Sequence, residues 1–318
     1  MSAHPFYPRD FIETPEGLIF AVVDGRPEEA RVLCFLRYLR QPPGFRKLPT
    51  GEAESHLMRH GPEYLYDSKR LDARLHAVPV SRIQHHFRPR ERVRQLLSAP
   101  YPDVMEDKAV RWLRLFSRHG LDLTRAGLTG SLLIGAENAE SDLDFVIYGR
   151  ETFFAARNLV RTLLDSGDLD ALNETAWRDT YERRGCSLDF KDYVWHERRK
   201  LNKALFARTK FDISLVPEEL PPEEGPVRKL GTAVLKAEVT DVRSAFDHPA
   251  RYRLNHPEIK EVLSFTHTYA GQAEAGERVE ISGVLEETHA GIRRVVVGSS
   301  REAPGEYIRV IKERAARG

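Results

Sequence analysis

Two aspartates one residue apart, Asp142 and Asp144, open the run Asp-Leu-Asp-Phe-Val-Ile-Tyr, and Gly130-Ser131 stands shortly before them. The aromatic and β-branched composition of that run predicts a strand. Side chains alternate faces along a strand, so Asp142, Asp144 and Val146 share one side and Leu143, Phe145 and Ile147 the other. The apolar set can enter a core while both carboxylates project together, roughly 7 Å apart along the strand. Carboxylates so placed can share a pair of divalent cations ~4 Å apart. The Gly-Ser turn adds backbone N–H groups and a hydroxyl at close range, a combination suited to a phosphate. A lone Asp-x-Asp is most often a solvated strand end. The joint spacing with Gly130, Ser131, Gly135 and Ser141 is what points to chemistry.

This pattern resembles the minimal signature of the polymerase-beta-like nucleotidyltransferase superfamily: Gly-Ser, a short connection, then Asp-x-Asp opening a strand. Gly135 and Ser141 stand where the small members of that superfamily carry a glycine and a serine. The departure lies between them. Those enzymes often have an arginine shortly after Gly-Ser, whereas this chain has Leu132, Leu133 and Ile134. The resemblance implies attack of a hydroxyl on the α-phosphate of a nucleoside triphosphate, with release of pyrophosphate. Asp142 and Asp144 would hold Mg²⁺ (or Mn²⁺), and Gly130 and Ser131 would meet the β- and γ-phosphates.

It also implies a third carboxylate, delivered from a strand beside the Asp-x-Asp strand. The run Lys210-Phe-Asp-Ile-Ser-Leu-Val216 offers Asp212, with Phe211, Ile213 and Leu215 on the opposite face. The shorter Ser187-Leu-Asp-Phe190 offers Asp189 as the second choice. The expected acceptor is a nucleic-acid end, RNA or DNA. Transfer to a protein or small molecule, and a non-catalytic nucleotide- or RNA-binding module, are the alternatives.

The elements around these residues divide the 318-residue chain into four segments. Residues 1–88 read as a β-rich domain, with strand-like Leu18–Val23 and Val32–Tyr38. Of His56, His60, His85 and His86 in it, His56 and His60 would share a helical face as two zinc ligands can, but no third ligand is evident, and all four read as surface or hydrogen-bonded residues. From Arg88 the period turns helical. Val93, Leu96 and Leu97 mark one helix, and Ala109, Val110, Leu113 and Phe116 a second that Asp103 would cap. Phe153, Ala156, Leu159, Val160, Leu163 and Leu164 mark a third helix, and Leu169, Leu172, Ala176 and Tyr181 a fourth. Residues 89–216 are thus expected to form an α/β (α+β) nucleotidyltransferase palm.

The acidic, proline-rich stretch 217–227 reads as a linker. Residues 228–318 return to period two, and some five strands suggest a C-terminal OB-like β-barrel. Arg293, Arg294 and aromatic residues are its candidate nucleic-acid contacts. In the palm, the basic run Arg198–Lys210, like Arg157 and Arg161, could meet triphosphate or a nucleic-acid backbone, with a solvated helix face as the plain alternative. The two β-rich flanks also resemble those of larger archaeal-type predicted nucleotidyltransferases.

Lys and Arg number 49 against 48 Asp and Glu, so a nucleic-acid partner must be met by local patches and not by bulk charge. Two cysteines give no disulfide framework. No apolar run approaches the ~20 residues that span a bilayer, and a cytoplasmic protein is expected.

Overall fold

The computed structural model describes residues 5–100, 102–219, 224–300 and 303–312. Three sheets and, among the described residues, seven α-helices make a mixed α/β chain. No described helix is long and apolar enough to cross a membrane. The chain gathers into two compact units. One takes residues up to Ser68, Arg74–Leu172 and Leu201–Pro221. The other takes Lys69–Ala73, Asn173–Lys200 and the chain from Pro222 onward.

The first sheet is built from β1 (Phe11–Glu13), β2 (Leu18–Val22), β3 (Arg31–Gln41), β4 (Gly44–Lys47), β5 (Leu65–Ser68), β6 (Ala73–Pro79) and β7 (His85–Phe87). Its order is β5-β6-β3-β2-β1-β7, with β4 on β3. Helix α1 (Thr50–His60) adds Ala53 and Leu57 to the core of Phe20, Leu36 and Val78. The sequence left this helix unassigned because only two of its side chains are buried apolar ones.

Helices α2 (Pro89–Ser98) and α3 (Val104–Arg118) follow, then β8 (Ala126–Thr129), the single turn α4 (Ser131–Ile134), β9 (Leu143–Tyr148) and α5 (Arg150–Ser166). Asp103 and Glu106 close a capping box at the start of α3, as the sequence suggested for Asp103. The chain leaves this unit for α6 (Glu174–Arg184) and α7 (Phe190–Lys200). It returns as β10 (Lys203–Phe206) and β11 (Thr209–Val216), giving a second sheet of order β10-β11-β9-β8. Helix α6 corrects the predicted stripe. It starts at Glu174, where the Asn173 side chain accepts from the Ala176 N–H, so Leu169 and Leu172 precede the helix. The Asn173 cap sets the helix start ahead of the apolar spacing.

One face of the second sheet is a dry aromatic layer. Trp112 and Phe116 on α3 stack with ring centroids 3.8 Å apart, and Trp112 lies equally close to Phe145 on β9. Phe211 on β11 meets Trp112 edge-on. The other face changes character along its length. Strand register puts Thr129, Asp144, Asp212 and Lys203 side by side across β8, β9, β11 and β10. Two residues further on, Val146, Tyr148 and Val216 are buried with Tyr7 of the N-terminal segment. Val146 is therefore apolar on the carboxylate side because the first sheet's leading segment covers it.

In the other unit β12 (Val227–Asp241), β13 (Ala250–Asn255), β14 (Glu261–Ser264), β15 (Arg278–Thr288), β16 (Arg293–Val297) and β17 (Tyr307–Val310) form the third sheet. β12 pairs with both β13 and β15, so the pairings return on themselves through β14 and β16, with β14 and β16 parallel. The sequence reading missed β13, although Tyr252 and Leu254 alternate with Arg251 and Arg253 as a half-buried strand should. β12 opens at Val227, the last residue of the expected linker, and 220–223 of that linker lie outside the described residues. Helix α7 belongs to this unit. The buried Lys200 ammonium donates to Glu197 Oε1 (2.5 Å) and to the Thr268 carbonyl (2.6 Å).

Candidate active site

Sequence and fold converge on the start of β9. Asp144 is the second residue of that strand and lies directly opposite Asp212 of β11, its parallel neighbour. Asp142 sits just before the strand, not within it. Gly130 follows β8 at φ +70°, and a Cβ built there would lie 2.3 Å from Asp144 Oδ2. Glycine is required at that position to seat the Asp144 carboxylate, a reason the sequence did not reveal. Ser131 begins α4 and its hydroxyl bonds Ser141 Oγ (3.2 Å), while Ser141 Oγ accepts from the Asn138 N–H (3.0 Å). These bonds close the 135–142 loop so that Ser131 and Asp142 stay near each other.

Burial first, then the Asp212 carboxylate, push the Asp144 pKa up; Asp142 adds to this, while Arg9 and Lys210 oppose it. Three carboxylates gathered this closely around Asp144 form an anionic cluster that attracts cations. Lysines supply them here. Lys210 Nζ stands 2.8 Å from Asp142 Oδ2, and Lys203 Nζ 3.3 Å from Asp212 Oδ1. Both come from the basic run whose purpose the sequence left open, and its end lies on the carboxylate face.

Arg9 is the third cation, and the sequence did not single it out. The Asp10 N–H bonds the Tyr7 carbonyl (3.1 Å), Pro8 is second in the turn, and Arg9 is third at φ +83°. That is the geometry of a type II turn, whose third position favours glycine. Asp10 is locked in turn: its Oδ2 takes the Tyr7 N–H and lies 2.8 Å from His86 Nε2. The Arg9 carbonyl accepts from Thr129 Oγ1 (2.7 Å) and its Nη2 donates to Ser214 Oγ (3.1 Å).

The apolar triplet after Gly-Ser is explained by the same docking. Leu133 and Ile134 pack with Phe11, Ile19 and Tyr38 of the first sheet. Leu133 and Ile134 thus serve as an anchor for the N-terminal sheet. Tyr38 lies near the carboxylates as well: burial pushes its phenol up, with Asp144 contributing.

A protein of Methanocaldococcus jannaschii, the uncharacterized MJ1086, is 33% identical over 333 residues, spanning 95% of this chain and 98% of that one. The chain belongs to the family of MJ1086. No family model and no solved structure matches it.

Other residues singled out in this MJ1086 relative fall elsewhere. Asp189, the second choice for a third carboxylate, caps α7 by accepting from the Asp192 N–H (2.8 Å) and stands on no strand. Arg294 is buried among carboxylates, donating to Glu286 Oε1 (2.7 Å) and to Glu224, with Glu261 beside it. Arg293 is paired with Glu287 and Glu258. His56 and His60 do share a face of α1, with rings 4.9 Å apart, and among the described residues no third ligand joins them. A separate acidic group, Asp103, Glu106 and Glu137, has ligand atoms within 4.8 Å of one another and could hold a metal. The Arg92 guanidinium already bonds Glu106 there (2.6 Å). Cys34 is buried and Cys186 partly so, both as free thiols.

Proposed function

We propose that this chain is a metal-dependent nucleotidyltransferase, moving a nucleoside monophosphate from a nucleoside triphosphate to a hydroxyl acceptor with release of pyrophosphate. One observation carries the reading: Asp144 and Asp212 face each other across parallel strands, with Asp142 beside them and Gly130 beneath. Three carboxylates on one rigid sheet end are hard oxygen donors and fit Mg²⁺ or Mn²⁺. When bound, such ions lower the pKa of the attacking hydroxyl and offset charge on the leaving pyrophosphate.

The chain's own residues do the rest. Asp144 and Asp212, held in register by β9 and β11, would hold the ions together with Asp142 just before β9. Backbone N–H groups at Gly130 and Ser131 would meet the phosphates. Lys203 and Lys210 balance the carboxylates in the metal-free protein and then lie beside an incoming anion. Strand order supports a palm of this kind: a parallel pair bears the carboxylates, and the aromatic layer of α3 covers the opposite face. The ring of pairings in the third sheet, with its one parallel pair, supports the OB-like barrel expected there.

The acceptor class is where the structure shifts the balance. Arg293 and Arg294 are held by carboxylates, and Lys203 and Lys210 serve the palm. That removes most of the basic surface on which a nucleic-acid acceptor was inferred, and favours a protein or small-molecule hydroxyl as the second reading. The test is pyrophosphate release with each of the four nucleotides in Mg²⁺ or Mn²⁺, across RNA, DNA, protein and small-alcohol acceptors. Metal-dependent release abolished by Asp144→Asn supports the proposal. Release equal in wild type and variant, or absent with every nucleotide, ends it.

A further inference from the structure

We infer that Arg9, carried by the N-terminal sheet and not by the palm, is a phosphate-binding residue of the site; this rests on the nucleotidyltransferase reading above. Three independent features of its surroundings lead there.

The first is strain. Arg9 sits at φ +83° in the third position of its turn, where a residue with a Cβ is disfavoured and glycine is at ease. A side chain held against its backbone preference is more often explained by what it reaches than by what it stabilises.

The second is placement. The backbone is pinned on both sides of the side chain. The Arg9 N–H donates to the Val22 carbonyl (3.2 Å), and the Arg9 carbonyl takes Thr129 Oγ1, one residue before Gly130. The guanidinium is thereby delivered to Ser214, two residues along β11 from Asp212, and within the electrostatic reach of Asp144. Neither Leu132, Leu133 nor Ile134 brings a cation from the palm side, because all three are buried.

The third is charge. Asp142, Asp144 and Asp212 are matched one for one by Arg9, Lys203 and Lys210. Two divalent ions added to that balanced set leave about four positive charges, which complement the about four negative charges of an ionised triphosphate. Without Arg9 the complement is short. Among the three cations, only arginine presents a planar fork of donors that can hold Ser214 and still grip a phosphate oxygen.

The test uses the full chain and inorganic triphosphate with Mg²⁺, titrated by calorimetry well below the unfolding midpoints of all proteins compared. The variants are Arg9→Gly, which relieves the turn, and Arg9→Lys, which keeps the charge and the strain. Arg9→Gly is expected to unfold at or above the wild-type midpoint yet bind triphosphate roughly ten- to a hundredfold more weakly. Arg9→Lys is expected to recover part of that affinity. Equal affinity in wild type and Arg9→Gly overturns the inference and leaves the proposed function standing. Wild-type protein that fails to bind triphosphate in Mg²⁺ brings down the proposed function itself, and Arg9's role with it.

Discussion

Gly130 and Asp144 answer to each other. The Cβ that any other residue would bring to position 130 meets Asp144 Oδ2 at 2.3 Å, and the carboxylate has Asp212 on its far side. Gly130→Ala should therefore displace a ligand before it disturbs a phosphate. Metal affinity and triphosphate affinity should fall together, by tenfold or more each, with a modest drop in stability from the positive φ. Calorimetric titration with Mn²⁺ alone decides this; unaltered Mn²⁺ binding would refute it. Asp144→Asn makes the complementary case. Its folded-state pKa is raised, so the ionised carboxylate opposes folding. That cost is absent below the ordinary Asp pKa, grows as pH rises through the raised value, and stays level beyond. At neutral pH the metal-free Asn variant should unfold at the same temperature as wild type or higher, while turnover falls by several orders of magnitude. A midpoint several degrees below wild type would contradict the assigned charge repulsion.

At the scale of elements, α4 does two jobs in a single turn. Its first residue faces the loop that carries Asp142, and its last two bury themselves against β1, β2 and β3. Leu133 is 5% exposed, and Leu133→Ala should cost about 2–5 kcal/mol, as large-to-small changes in packed cores do. Because the same contact seats the first sheet beside the carboxylates, the proposed triphosphate binding through Arg9 should weaken in the variant as well. Urea unfolding and triphosphate titration on one preparation separate the effects. Full destabilisation with wild-type affinity would show that Arg9 does not depend on this anchor.

Over the whole molecule, the chain threads between its two units more than once. Helix α7 precedes β10 in sequence, yet its buried groups are satisfied by the C-terminal portion: Lys200 by the Thr268 carbonyl, and His196 Nε2 by the Val310 N–H (3.4 Å). A chain ending after Glu219 would keep α7 but strip those partners. It should aggregate, as measured by light scattering of the purified product; a monodisperse truncation would count against this. His196 also sets a pH limit. Burial first, then Lys200, Arg199 and Lys312, hold its pKa down at about 3. The unfolded chain takes up this proton near pH 6.5 and the folded chain does not. Stability from this group is complete above about pH 6.5 and is lost progressively as pH falls toward 3, by up to about 1.4 kcal/mol per pH unit. His196→Leu should flatten that slope between pH 6.5 and 4, and an unchanged slope would assign it to other groups.

Local chemistry fixed much of this molecule in advance. The alternation of Leu143, Phe145 and Ile147 against Asp144 is a property of one strand, as is that of Phe211, Ile213 and Leu215 against Asp212, and both emerged on β9 and β11. The Asp103 cap and the apolar stripes of α3 and α5 were equally local. Pairing was not. That Asp212 and not Asp189 stands beside Asp144 depends on β11 adding parallel to β9 across an intervening excursion of two helices. Nothing in either strand encodes that neighbour. Arg9 is the extreme case, since a turn residue more than 100 positions before its partners carries no spacing signal in the chain. The same holds for Leu133 and Ile134, which are plain apolar residues until the first sheet is folded against them. Alternation, caps and turns are set by neighbours within a few residues, whereas the charge balance at Asp142, Asp144 and Asp212 comes from long-range packing, which only the tertiary structure decides.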